Sequence, residues 1–250
     1  MKAIKTGNQF LRDLKRALAE PDTYLPLIVR QMRAIGVDSV PLVVMVAAFI
    51  GGVIAIQVRY QLFPGIQLSI VGLSSRQITV LETGPLLTGL VLAGRVGAKM
   101  TAEIGTMRVT EQIDALESMA VDPVHYLVAP RILACTLMMP VLAVGFAAIG
   151  LAGAYLIALT LLGLDHVAFL SRIETWVMPS DLLETIVKGT AFGLLIGSIA
   201  CFKGFHATGG SRGVGLATTR TVVATSIAIL LMDYVITSVW LEAFPPTGLL

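Results

Sequence analysis

ILACTLMMPVLAVGFAAIGLAGAYLIALTLLGL, residues 132 to 164, contains no charged side chain over 33 positions. A soluble helix of that length needs a solvated face, and this run offers none. As one helix it measures about 50 Å at the usual rise, against a hydrocarbon core of about 30 Å. Two crossings and a turn do not fit, so the run predicts one long, tilted or protruding transmembrane helix. Pro140 is the expected point of distortion, and Gly145, Gly150 and Gly153 are the expected close-packing positions.

The same solvent explains the rest of the chain. Of its 250 residues 56% are hydrophobic and 14% charged, where soluble chains average roughly 25% charged. Mean hydropathy is +0.84. Val40 to Val58 is uncharged and long enough to cross. Ile78 to Met100 holds Glu82, Arg95 and Lys99, but its centre from Thr83 to Gly94 is apolar, which reads as a span with polar ends. Leu182 to Phe202 and Thr221 to Leu241 complete five crossings.

Charge placement orients them. Fourteen of the 18 Lys and Arg residues lie in or beside three segments: seven before Val40, four from Arg95 to Arg131, three from Lys203 to Arg220. The alternate segments hold only Arg59, Arg76 and Arg172, and Lys188 lies within a span. The positive-inside rule then predicts a cytoplasmic N-terminus and an external Leu250. Met1 to Arg33 is basic, unlike a cleaved signal. In it Phe10, Leu14 and Leu18 share a helical face that Arg12, Lys15 and Arg16 avoid, which suits an interfacial helix over residues 1–35, with a solvated basic tail as the alternative.

Between the second and third spans lies TAEIGTMRVTEQIDALESMAVDP, residues 101 to 123. Val109, Ile113, Leu116 and Ala120 form a stripe, with Glu111, Asp114 and Glu117 opposite. Glu103, Glu111, Asp114, Glu117 and Asp122 face a single base, Arg108. Anionic lipid would repel such a surface, so it predicts either a protein partner or packing on the chain's own cytoplasmic ends. The net charge of +2 gives no reason to expect nucleic acid. Cys135 and Cys201 sit in apolar runs, and His125, His166 and His206 are scattered, so no metal is expected.

Ionisable groups inside spans are costly and mark function by default. Glu82 and Lys188 lie about 6 and 9 Å along their spans from the outer end. Asp233 lies past the midpoint of an outward-running helix. All three are placed in the outer half, where they could line a cavity or brace the bundle, and Glu184 could pair with Lys188 along one helix. Neutralising Lys188 or Asp233 is expected to weaken transport without preventing assembly.

No Walker A pattern occurs, so any ATP is bound elsewhere; Gly209-Gly210-Ser211-Arg212-Gly213 reads as a loop. A secondary transporter would show two inverted repeats, and five spans divide poorly. An intramembrane lipid enzyme using Glu82 or Asp233 would need a nucleophile beside it, and none is evident.

One set of residues is more specific: Glu82-Thr-Gly84-Pro85, Ala93-Gly94-Arg95-Val-Gly97, the whole of residues 101 to 123, Pro130-Arg131, and Ala217-Thr218-Thr219-Arg220-Thr-Val-Val223. It resembles the MlaE (YrbE-type) permeases of MCE-associated lipid ABC transporters, whose plant relatives sit in the chloroplast inner envelope, over roughly Leu25 to Phe244. The resemblance implies an all-α permease, a single domain over residues 1–250, in the bacterial inner membrane. It implies a homodimer with a cytoplasmic P-loop ATPase, a periplasmic MCE-domain protein, phospholipid as cargo, and as an optional member a small STAS-domain subunit. It also implies that residues 101 to 123, with Glu103, Arg108, Glu111, Asp114 and Glu117, form the helix coupling permease to ATPase, and that Glu82, Lys188 and Asp233 border the lipid pocket. No cofactor is implied in this chain. Many bacterial members carry Arg directly before the motif's Glu; Leu81 stands here, and no headgroup contact of that Arg carries over.

Overall fold

The computed structural model describes residues 21–63, 70–167, 169 and 179–243, and these are helical with no strand among them. Five stretches are long and apolar enough to cross a membrane: Leu25–Gln61, Ile70–Val109, Val124–Thr160, Ser180–Phe205 and Gly210–Ala243. The protein is a polytopic, all-α membrane protein. The proposed face of Phe10, Leu14 and Leu18 lies outside the described residues.

The first stretch comprises α1 (Pro21–Ile35), a 3₁₀ turn at Val37–Ser39 and α2 (Val40–Gln61). The Gly36 N–H returns to Met32 O at 2.7 Å to close α1. Pro41, near the start of α2, lacks only an N–H that a first turn leaves unpaired in any case.

The second stretch is α3 (Ile70–Gln77), α4 (Gly84–Leu92) and α5 (Ala98–Val109), joined by π-helical segments at Ile78–Thr83 and Ala93–Gly97. It extends well beyond the expected Ile78 to Met100, because its polar ends continue as helix. Glu111 at φ 60° then breaks the chain before the short α6 (Gln112–Ser118), and Ala120 at φ 60° ends the segment. The stripe expected to run from Val109 to Ala120 is therefore not one helix face. Ile113 is fully buried with Ile104, Leu127, Ile132 and Cys201, Leu116 packs at their edge, and Ala120 is exposed.

The third stretch is a π segment, Val124–Val128, leading into α7 (Ala129–Thr160). It starts before the uncharged run does, because Arg131 is buried with its guanidinium donating to Leu127 O and so does not interrupt the helix. It also stops short of Leu164. Gly163 takes φ +60°, the Leu164 N–H turns back to Ala158 O at 3.0 Å, and the Leu164 side chain is buried. Helix continues through Pro140 without interruption. Gly150 and Gly153 pack closely against the backbone of Ala47 and Ala48, whereas Gly145 faces open space, so only two of the three expected glycines serve close packing. α8 (Pro179–Phe205) and α9 (Gly210–Ala243) supply the last two stretches.

Packing divides the chain into two compact units, one within 1–38, 92–138 and 193–228, the other within 39–91, 139–192 and 229–250. In the first, the Thr101 hydroxyl lies 3.1 Å from Ala200 O and 3.0 Å from Thr221 Oγ1, a polar link among three helices. The Gly193 and Gly197 pair packs within the chain, against Cys135, Thr136 and Ile132. In the second, Ile54, Ala55, Val58, Val71, Ala154, Ala158, Leu164 and Phe169 form an apolar core.

Candidate functional site

An α-helical carbonyl is normally satisfied by the N–H four residues on. In the Ile78–Thr83 segment two carbonyls lose that partner. The Gly84 N–H bonds to Thr79 O, five residues back, and not to Val80 O. Pro85 has no N–H to offer Leu81 O. Unpaired carbonyls are costly in a membrane, and α8 supplies both donors: the Thr185 hydroxyl donates to Val80 O at 2.8 Å and Lys188 Nζ to Leu81 O at 2.8 Å. The Glu-Thr-Gly-Pro motif thus prepares a backbone site for a side chain of another helix.

Lys188 is fully enclosed, yet three carboxylates surround it: Glu82 at 3.0 Å, Glu184 at 3.1 Å and Asp233 at 3.4 Å. Each comes from a different place in the chain, the second stretch, α8 itself and α9. A charge in this environment persists only with such partners. The structure brings together all three residues expected to border a lipid pocket. It also realises the Glu184 pairing, so the cluster has four members around one lysine.

Its members differ in access. Glu184 and Asp233 are nearly buried, whereas the Glu82 side chain is 43% exposed and accepts a hydrogen bond from the Thr237 hydroxyl at 3.3 Å. Asp233 Oδ1 is buried and accepts no hydrogen bond, so its tie to Lys188 is ionic. Arg76 and Asp181, just under one turn before Glu184, form a second, largely buried ion pair at 2.6 Å that sequence reading missed. The signal was present: Asp181, Thr185 and Lys188 recur at helical spacing, as a continuous polar face on an otherwise apolar helix.

The structure distributes the five residues expected on the coupling segment over different elements. Glu103 belongs to α5 and pairs with Arg131 at 3.3 Å. Arg108 and Asp114 pair at 2.5 Å across the break at Glu111, both well exposed. Glu111 and Glu117 are exposed and make no ion pair among the described residues. What α6 presents outward is acidic, and what it presents inward is Ile113.

Five apolar helical stretches among the described residues, with a buried and multiply paired lysine, make this a polytopic membrane protein with charge built into its interior. The Permease MlaE family matches residues 28–239, and the chain belongs to that family. A Rickettsia prowazekii protein named "Probable ABC transporter permease protein" is 40% identical over 230 residues, 90% of this chain and 87% of the relative. The Haemophilus influenzae intermembrane phospholipid transport system permease protein MlaE is 37% identical over 221 residues, 88% and 85% of the two chains. The Arabidopsis thaliana protein TRIGALACTOSYLDIACYLGLYCEROL 1, chloroplastic, is 31% identical over 240 residues, 96% of this chain and 67% of the relative.

Proposed function

We propose that the chain is the membrane-spanning subunit of an ABC transporter that moves phospholipid between the inner membrane and a periplasmic MCE-domain protein. The observation that carries the reading is the 37% identity, over most of both chains, to a permease named for intermembrane phospholipid transport. ATP is bound and hydrolysed by a separate P-loop subunit. The N-terminus faces the cytoplasm, by the placement of basic residues, and α6 with its exposed Glu111, Asp114 and Glu117 docks that subunit. A small STAS-domain protein can join on the same side. All 250 residues work as one permease domain, with residues 1–35 as its interfacial segment and residues 101–123 as its coupling region.

Two copies assemble. Several large apolar side chains of α9, among them Val223, Ile227, Leu230, Leu231, Tyr234 and Val235, are more than half exposed in the single chain, which supports a covering of protein or lipid along this helix. Glu82, backed by the enclosed Lys188 and Asp233, contacts the cargo. The accessible Glu82 carboxylate meets the headgroup, and Lys188 and Asp233 hold it in place.

Reconstitution of the chain with its ATPase and labelled phospholipid tests this reading. ATP-dependent lipid movement is expected, together with a stable complex between chain and ATPase. A chain that binds no P-loop subunit, or moves lipid equally well without ATP, overturns it.

A further inference from the structure

A second polar feature lies within the unit formed by 1–38, 92–138 and 193–228 and has no place in the reading above. α1, the stretch from Ala93 through α6, and the start of the third stretch enclose a cavity of about 790 Å³. Four cations line it, Arg30, Arg95, Lys99 and Arg131, against one carboxylate, Glu103. Glu103 pairs with Arg131, while Arg30, Arg95 and Lys99 are exposed and make no ion pair among the described residues. Arg131 is only 8% exposed, and its Nε is buried without a hydrogen-bond partner. Among the described residues, one carboxylate thus answers four cations, and only Arg131 is paired with it.

From this geometry we infer that the cavity is a binding site for the phosphate-bearing headgroup of an anionic lipid. Unpaired cations gathered on cavity walls select an anion, and guanidinium groups select phosphate oxygens in particular. The volume lies within the range of about 300 to 1,000 Å³ typical of organic ligands and is far more than a bare phosphate needs. Leu27, Val96 and Met100 also line it, giving the glycerol and first acyl carbons apolar contacts. Leu25 and Val29, also on α1, are exposed and give that helix further apolar surface. The cationic end of the chain lies at the cytoplasmic leaflet, a placement that rests on the orientation proposed above. The site therefore differs from the acid-rich Lys188 cluster in the headgroup it favours.

The test uses the full chain in nanodiscs holding equal amounts of phosphatidylglycerol and phosphatidylcholine, with the lipids retained after extraction read by native mass spectrometry. Phosphatidylglycerol is expected to be enriched about tenfold, equivalent to one favourable charged contact. The double variant R95Q/K99Q, whose side chains are exposed and form no ion pair among the described residues, brings the enrichment below about twofold. Arg212→Gln, an exposed cation outside the cavity, leaves it unchanged. Equal retention of both lipids by the unaltered chain, or enrichment that survives R95Q/K99Q, overturns the inference. So does an equal loss in Arg212→Gln, which would make the effect one of general charge. Displacement by millimolar inorganic phosphate as effective as by phosphatidylglycerol assigns the site to free phosphate, and displacement by the ATPase assigns it to protein docking; either result removes the lipid. ATP-driven transfer is read separately, so failure of transport leaves this enrichment standing, and the reverse.

Discussion

The Lys188 cluster and the Arg131 cavity are both charged regions of a membrane protein, yet they balance charge in opposite ways. At Lys188 one cation meets three carboxylates and a carbonyl, all within 3.4 Å. In the cavity four cations share one carboxylate. Enclosed charge must be matched by the protein itself, because no solvent is present to do it. Charge on an open wall can be left for something else to match. The first region should therefore be sensitive to any loss of a partner, and the second indifferent in stability but altered in binding.

Lys188→Met breaks the comparison most forcefully. It strands the nearly buried carboxylates of Glu184 and Asp233 and leaves Leu81 O without a donor, a loss of about 3 to 5 kcal/mol. The expected result is a large fall in thermal stability in detergent, measured by fluorescence-detected size exclusion after heating. R95Q/K99Q should change stability by less than about 1 kcal/mol, as for exposed charges generally. Equal losses in the two variants would show that the cavity cations are structural. Burial adds to the expectation that neutralising Lys188 weakens transport without preventing assembly: removal of the lysine reaches stability as well.

Backbone packing beside each region gives the next largest contrast. A Cβ on Gly189 would stand 2.7 Å from Pro140 Cα, whereas one on Gly94 meets nothing within 4 Å. Gly189→Val is expected to cost about 1 to 3 kcal/mol through overpacking. Gly94→Ala should be neutral or slightly stabilising, by at most about 1 kcal/mol. Melting of the two variants side by side checks this, and a destabilised Gly94→Ala would mean that the backbone next to Arg95 tolerates no added atom.

Legibility from sequence follows the same division. Five spans were readable because hydrocarbon demands uncharged runs, and the Glu184 and Lys188 spacing was readable because it is local to one helix. The convergence of Glu82 and Asp233 on that same lysine was not, since it depends on how three helices meet. Helix ends were misplaced wherever a buried charge continued a helix, as at Arg131, or an apolar residue followed its end, as at Leu164. The break at Glu111 was hidden for another reason: nothing in an amphipathic pattern marks a non-glycine residue with positive φ. Pro85 was visible, and its effect on Leu81 O could have been deduced, but the donor could not.

Asp233→Asn keeps the shape of the cluster and removes one of three negative partners. Glu82 and Glu184 still neutralise Lys188, so the chain should assemble, with stability within about 1.5 kcal/mol of the original. Lipid transfer with the ATPase is expected to fall about tenfold, the effect of one weakened charged contact. Normal transfer by an assembled Asp233→Asn protein would separate this carboxylate from the transport path and leave it a bracing role.

Pro85→Ala has a small net effect, and two opposing terms make it so. Alanine in place of an internal proline favours a helix by up to about 3 kcal/mol, because an N–H is regained and a ring clash is lost. Here the regained N–H would aim at Leu81 O, which already accepts from Lys188 Nζ at 2.8 Å. If the new N–H takes the carbonyl, the enclosed ammonium loses a partner, and a hydrogen bond to a charged group is worth about 1.5 to 3 kcal/mol. The two changes nearly cancel, so the melting temperature should move by only about 2 to 4 °C in either direction. A stabilisation of several times that size would show that Lys188 does not depend on Leu81 O, and the enclosed cluster would then rest on its carboxylates alone.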